Sequence, residues 1–275
     1  MMDFKRLLSC EFLRPYVHCF WYLEASEKDF YLSVKIPPVG YNGIIFTYSP
    51  FESKAKFHQS THTPFRCSLC GIFTAPYSVD FKGQGGFIGL LFKPGALFHI
   101  FGVDMSVVGA NQLDAEAILG SEISAIFYRI QEANSIKLKV EVLEEFLIKK
   151  LKAKSFLSLP LEHIVAFINE QRGNIKIDEI AKYFKCSTRF LERNFSQIIG
   201  IPPKKYSNIV QFNNLLKDIQ DNKKIDWCGL AANGGYYDQQ HLINTFSKFT
   251  GLPPTKYIDQ DNTFNEFYLL KESFK

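Results

Sequence analysis

No run of this 275-residue chain stays apolar for the ~20 residues that a membrane helix needs. The best stretch, Gly86 to Phe92, is cut off by Lys93-Pro94. The opening, Met1-Met2-Asp3-Phe4-Lys5-Arg6, leads into no long apolar core, so no signal peptide is expected. These two absences predict a cytoplasmic protein with no membrane partner. Charge of one sign is also scarce: 32 Lys and Arg face 28 Asp and Glu, for a net +4. A nucleic-acid-binding domain usually stands out as more basic, so charge balance alone points to no polyanion. Cysteines are few and scattered, at Cys10, Cys19, Cys67, Cys70, Cys186 and Cys228. That usage predicts free thiols in a reducing compartment.

Catalytic and metal signals are thin. His18, His99, His163 and His241 lie far apart, and no Ser/His/Asp or Cys/His set assembles. Gly83-x-Gly85-Gly86 is a lone glycine cluster with no helix after it, so it predicts a hairpin turn, not a phosphate loop. The segment His58-x3-His62-x4-Cys67-x2-Cys70 holds four residue types that bind zinc. Against a metal site, Phe65 to Leu69 reads as a strand, which would turn Cys67 and Cys70 to opposite faces. No enzyme, cofactor or metal is therefore expected. Two rivals remain beside the main reading. One is a metal or redox switch on the His58, His62, Cys67 and Cys70 segment. The other is a barrel enzyme joined to a regulatory block.

What is present is a duplication. Phe195, Gly200-Ile201-Pro202-Pro203 and Tyr206 recur as Phe246, Gly251-Leu252-Pro253-Pro254 and Tyr257 at identical spacing. Each tag closes a helix-turn-helix pattern. In the first, Ile177, Ile180, Ala181 and Phe184 repeat at helical spacing over Ile177 to Phe184, and Lys185-Cys186 makes the turn. Ser187 is a good N-cap for the next helix. That helix is expected to bury Phe190, Leu191, Phe195 and Ile198 or Ile199, with Thr188, Arg189, Glu192 and Arg193 outward. In the second, Trp227, Leu230 and Ala231 anchor a helix that Gly234-Gly235 breaks, and Asp238 caps the next. There Leu242, Ile243, Phe246 and Phe249 point inward and Gln239, Gln240, His241, Asn244 and Lys248 outward. Cys186 and Cys228 fall within the two predicted cores. A continuous helix from about Pro203 to Asp221 joins the copies, with an apolar stripe from Tyr206 to Ile219. Gln and Asn pair bidentately with adenine and Arg with guanine, so the outward sets suit the major groove.

Ser187-Thr188-Arg189-Phe190-Leu191-Glu192-Arg193-Asn194-Phe195 resembles the first recognition helix of the AraC/XylS transcription regulators. Gly235 to Phe246, followed by Thr250 to Pro254 and Tyr257, is similar to that family's signature segment. The resemblance covers roughly residues 161 to 259. It implies bacterial origin, sequence-specific binding of double-stranded DNA and control of transcription. It places Arg189, Glu192 and Arg193 at bases and phosphates of one site, and Gln239, Gln240, His241 and Asn244 at the other. Three positions depart from the family: Gln211, Asn244 and Ser247 stand where basic residues are usual. Fewer cations weaken binding and flatten its salt dependence, so modest affinity per monomer is expected.

The first half differs in character. Tyr16 to Leu23, Gly43 to Tyr48, Phe65 to Leu69, Tyr77 to Phe81 and Gly86 to Phe92 read as short strands, punctuated by Pro37-Pro38, Gly40, Pro50, Pro64 and Pro76. They predict a β-sandwich or barrel. From about Pro94 the pattern is helical: Ile123, Ile126, Phe127 and Ile130 line one face, and Val140, Leu143, Leu147 and Leu151 another. Such faces pack on their own β-domain or pair two chains. This half also resembles the sensor domain of one branch of the same family, through Tyr16-to-Trp21, Pro37-to-Phe46, Gly71-to-Pro76 and Phe92-to-Leu97 with Phe101-Gly102. That resemblance implies a ligand-binding module and tilts the helical faces towards a homodimer.

The expected fold class is α+β. Residues 1–152 form a β-rich sensor with C-terminal helices, 153–160 a linker, 161–259 a tandem helix-turn-helix domain, and 260–275 a tail with a helix docked on it. The basic run Lys149-Lys150, Lys152 and Lys154 reads as a solvated helix end. Expected partners are duplex DNA, RNA polymerase, a small-molecule effector of unknown kind and a second copy of the chain.

Overall fold

The computed structural model describes residues 2–49, 51–57, 60–62, 64–153, 161–221 and 225–258. The expected linker after Ala153 and the expected tail, 260–275 with its docked helix, lie outside them, as does His58. The strands are β1 (Met2–Leu7), β2 (Val17–Ala25), β3 (Tyr31–Ile36), β4 (Asn42–Ser49), β5 (Glu52–Phe57), β6 (Ser60–His62), β7 (Cys67–Cys70), β8 (Tyr77–Lys82), β9 (Gly85–Phe92) and β10 (Gln112–Asp114). The helices of the first half are α1 (Ala96–Phe101), α2 (Met105–Val108), α3 (Ala115–Leu119), α4 (Glu122–Glu132) and α5 (Ile136–Lys152). Those of the second half are α6 (Glu162–Glu170), α7 (Ile177–Tyr183), α8 (Thr188–Ile198), α9 (Pro203–Asp221), α10 (Trp227–Asn233), α11 (Gln239–Thr250) and α12 (Pro254–Ile258).

The strands build two antiparallel sheets, ordered β1-β2-β9-β4-β7-β10 and β3-β8-β5-β6. Strand β2 shows why they stack. Its odd-numbered Cys19, Trp21 and Leu23 pack towards the smaller sheet with Ile36, Val79, Phe81 and Phe87. Its even-numbered Phe20 and Tyr22 face the other way, into a core shared with Leu97, Ile123, Phe127, Leu143 and Leu147 of the helices. A strand buried on both faces loses the apolar/polar alternation and reads as a continuous apolar run. The faces of α4 and α5 are thus covered by their own β-domain: Ile123, Ile126, Phe127, Ile130, Leu143, Leu147 and Leu151 are buried within the chain. Of the two readings left open for them, packing is the one the fold realises.

Gly83 turns the chain, at φ +83°, but not as a hairpin. β8 belongs to the smaller sheet and β9 to the larger, so the turn carries the chain across the sandwich. Lys149, Lys150 and Lys152 occupy the last turn of α5, and Lys150 pairs with Glu122 at 2.7 Å.

The second half is organised around α9. Tyr206, Ile209, Val210, Phe212, Leu215, Leu216 and Ile219 are buried in one core with Leu191 and Phe195 of α8 and Leu242 and Phe246 of α11. Phe212 stacks on Phe249 at 4.7 Å between centroids and meets Phe246 edge-on at 5.7 Å. Both helix-turn-helix units therefore close on one helix.

That block is also seated on the β-domain. Ile72, from the first half, lies in the core of the second. Gly200, at φ +98°, sits so close to α2 that a Cβ there would be 3.1 Å from the Met105 carbonyl oxygen. Asn42 donates from Nδ2 to the Ile199 carbonyl at 3.5 Å, and Asn213 donates from Nδ2 to the Val39 carbonyl at 3.2 Å. Lys35 Nζ donates to the Gly251 carbonyl at 3.4 Å. The contact strip thus runs from Lys35 near the end of β3, through the β3–β4 loop, to Asn42 at the start of β4, and it touches both units. Behind it, His18 stacks on Tyr41 at 4.2 Å. Burial first, then the cations Arg6, Lys93 and Lys217, push His18 down to about 4.

Two outcomes follow. Phe212→Ala removes a fully buried ring packed on Phe246 and Phe249, and thermal melts of the full chain should show a loss of roughly 3–5 kcal/mol. For His18 the unfolded chain binds the extra proton between pH 6.5 and about 4, so stability falls as pH falls through that window. His18→Phe should blunt that fall in melts taken from pH 7 to 4.

Candidate nucleic-acid interface

Each recognition helix starts on a side-chain cap. Ser187 accepts the Phe190 backbone N–H at 3.1 Å, and Asp238 accepts the His241 N–H at 2.7 Å. Each ends near its glycine. Gly251 lies in the left-handed region at φ +70° and donates to the Ser247 carbonyl at 2.7 Å. Gly200 donates to the Phe195 carbonyl at 3.0 Å. Between cap and stop, Leu191, Phe195 and Ile198 are buried in α8, and Leu242, Phe246 and Phe249 in α11.

The outward sets stand where the spacing predicts. Thr188, Arg189, Glu192 and Arg193 are exposed on α8, and Gln239, Gln240, His241, Asn244 and Lys248 are exposed on α11. One pair is already ordered: Gln240 Nε2 donates to Asn244 Oδ1 at 3.0 Å, one helical turn on. Its effect is to hold two amides side by side, each with hydrogen-bonding edges left over for a base pair. The Asp238 carboxylate, by contrast, is turned back onto its own helix.

Two expectations need correction. Phe190 is 40% exposed, not buried. It precedes Leu191 by one residue, and a 100° step takes it off the stripe that Leu191 and Phe195 define. It lies instead beside Thr188 and Arg189. Cys228 is also exposed, and its thiol donates to Gln239 Oε1 at 3.2 Å, whereas Cys186 does pack partly against the core.

Gln211 stands where a basic contact is expected. It has a different use. Its Nε2 donates to the Gly234 carbonyl at 2.7 Å and to the Gly235 carbonyl at 3.4 Å. A neutral amide on α9 thereby fastens the turn of the second unit to the helix that the first unit also packs against. Gly235 is needed there, because it has φ +72° and a Cβ would fall 2.1 Å from the Asn174 side chain.

The thiols of the rival site separate. Cys67 faces the core beneath the helices, and Cys70 lines a cavity between the sheets. Burial pushes both thiols up to about 12. His62 pairs in register with Ala55, and His58 lies outside the described residues. Among the described residues no group of three or more His, Cys, Asp or Glu is placed to hold a metal.

That cavity has a volume of about 60 Å³. Its walls include Trp21, Ile45 and Phe87 of the larger sheet and Ile36, Tyr77 and Phe81 of the smaller, with the polar atoms of Thr47, Cys70 and Gln112 at its margin. Among the described residues, no Asp, Glu, Lys or Arg lines it. Sequence reasoning found several of these strands but not the cavity, which needs both sheets in place.

Comparison with known proteins adds the following. A family described as a domain of unknown function (DUF6597) matches residues 5–114. The HTH-type transcriptional activator AarP of Providencia stuartii is 24% identical over 121 residues, 44% of this chain and 89% of that protein. Among solved structures, ToxT from Vibrio cholerae aligns over 94% of this chain and 97% of its own, at 9% identity and a TM-score of 0.46. The AraC-like transcriptional activator CuxR aligns over 79% and 86%, at 12% identity and a TM-score of 0.27.

The caps are open to direct test. Ser187→Ala and Asp238→Ala should each cost roughly 0.5–2 kcal/mol in denaturant titrations, because each strands a backbone N–H at a helix start. Equal stability of both variants and the parent chain would remove the caps from the account.

Proposed function

We propose that this chain is a transcriptional regulator of the AraC/XylS type and that it reads two successive major-groove segments of duplex DNA with α8 and α11. The observation that carries this reading is the pair of capped helices fixed to one buried helix, each with its polar set exposed. Arg189, Glu192, Gln239, Gln240 and Asn244 are assigned to base edges. Thr188, Arg193, His241 and Lys248 are assigned to phosphates or to supporting contacts. With RNA polymerase as its further partner, such a reader acts by where it sits relative to a promoter.

We assign the cavity between the sheets to the effector. Its lining suits a small, uncharged, largely apolar molecule, since none of the described residues around it is charged to pair with an ion. β3 and β4 both contribute walls, the loop joining them rests on α9 through Val39, and Asn42 at the start of β4 reaches Ile199 just past α8. A molecule that spreads the sheets displaces that loop, and so changes how the DNA-reading block is held. It does so only as far as it prefers one arrangement over the other.

The test is selection of bound fragments from random duplex DNA, followed by salt titration of the winner. One motif in two parts about one helical turn apart is the expected result. Arg189→Ala and Gln240→Ala should each lose roughly 1–3 kcal/mol and relax the preference at one part only. Lys248→Ala should weaken all sequences alike and lower the salt slope by about one. Binding that salt erases without any enriched motif would sink the reading.

A further inference from the structure

The two units are not identical, and the difference is one residue. Ala181 and Ala231 hold equivalent places: the Cys186 N–H donates to the Ala181 carbonyl at 2.9 Å, and the Tyr236 N–H donates to the Ala231 carbonyl at 3.0 Å. In the first unit the N-cap, Ser187, follows Cys186 directly. In the second, Tyr237 comes between Tyr236 and the cap, Asp238. From the cap onward the copies run in step again, Leu191 with Leu242 and Phe195 with Phe246. Tyr237 is therefore the residue by which the second turn is longer.

It is also 93% exposed, the most exposed large apolar or aromatic side chain among the described residues. Tyr236, its neighbour, is 6% exposed and packs edge-on to His241 at 5.8 Å. The contrast is informative: the turn buries one tyrosine and holds the next one out. Its backbone is pinned, since the Tyr237 N–H donates to His241 Nδ1 at 3.3 Å. The imidazole nitrogen that accepts this bond carries no proton, so in the neutral ring Nε2 is the donor. Tyr237 thus projects from a fixed point one residue before the cap, Asp238, which Gln239 and Gln240 follow.

A helix lying in the major groove points its first residues at base edges, and the chain leading into it passes the sugar-phosphate wall. Tyrosine is among the side chains that hydrogen-bond phosphate. We infer that Tyr237 is a DNA contact at the rim of the second major-groove segment. Its phenol O–H donates to a phosphate oxygen, and its ring covers the adjacent deoxyribose. The inference rests on the DNA reading above and adds a residue to it. A neutral donor here also offsets part of what Asn244 and Ser247, uncharged on the same helix, do not supply.

Neutrality makes the contact separable from the others. A lysine or arginine on a phosphate displaces counterions and steepens the salt dependence; a phenol does not. A phosphate contact carries no sequence information, so it weakens all duplexes alike when lost. The experiment uses the full chain and the selected duplex, with Tyr237→Phe and Tyr237→Ala compared with Lys248→Ala and Gln240→Ala. Tyr237→Phe should weaken binding about tenfold, the size expected for a hydrogen bond to a charged group. Tyr237→Ala should weaken it further. For both, the salt slope and the sequence preference should match the parent, and melting temperatures should be unchanged because the side chain touches solvent. If the parent chain binds the selected duplex and both variants bind within twofold of it, the contact is wrong and the DNA reading stands. If Tyr237→Phe is neutral and Tyr237→Ala alone is weak, the phosphate bond is wrong. If the parent chain selects no motif, both ideas fall together.

Discussion

The burial of α9 is the constraint on which the rest depends. One helix supplies a wall to each helix-turn-helix unit, and Phe212 touches Phe246 and Phe249 while Tyr206 lies near Phe195. Because the interior is close-packed, neither unit rotates about this axis without opening a void. Two separate domains on a flexible linker would sample many spacings and meet two fixed segments only at an entropic cost. A shared core removes that cost in advance. Gln211 extends the same logic from packing to hydrogen bonding, since it ties the α10–α11 turn to the helix that already holds α8.

The seam between the halves is of a different kind. It is partly polar, and its amides are incompletely used. Asn42 and Asn213 each donate across it, yet the Oδ1 atom of each is buried without a hydrogen-bond partner. A buried acceptor left alone carries a penalty that a solvated one does not. The seam is therefore held less firmly than the core around α9, and it is the natural place for the molecule to give. Fatty or aromatic packing alone would have welded the halves. Ile72 and Gly200 bring them into contact, and the asparagines leave two buried acceptors unpaired beside that contact.

The second half was legible because its determinants are local. Caps, glycine stops and helical stripes lie within a dozen residues of one another, and Pro203–Asp221 came out at its observed bounds. The misread residues there, Phe190 and Cys228, sit one step off a stripe, where apolar type and angular position disagree. In the first half the strands β2, β4, β7, β8 and β9 were visible as short runs between turn signals. β1, β3 and β5 were not, for MDFKRL, YLSVKI and ESKAKF interrupt their apolar positions with charged residues; β1 and β3 lie at the edges of their sheets. The seam was illegible in principle. Asn42 and Ile199 are 157 residues apart, and no pattern along the chain links them. The outward residues of α8 and α11 were found by periodicity, whereas Tyr237 was passed over because a turn residue belongs to no period.

The one-residue mismatch between the turns also has a geometric meaning. A two-fold dimer presents the same face to DNA whichever way round it lands. A tandem of unlike units, joined head to tail on one helix, has a front and a back. Its target would then be an arrow and not a palindrome. Inverting such a target next to a gene would turn the sensor half from one flank to the other, with no change in how tightly the protein holds on.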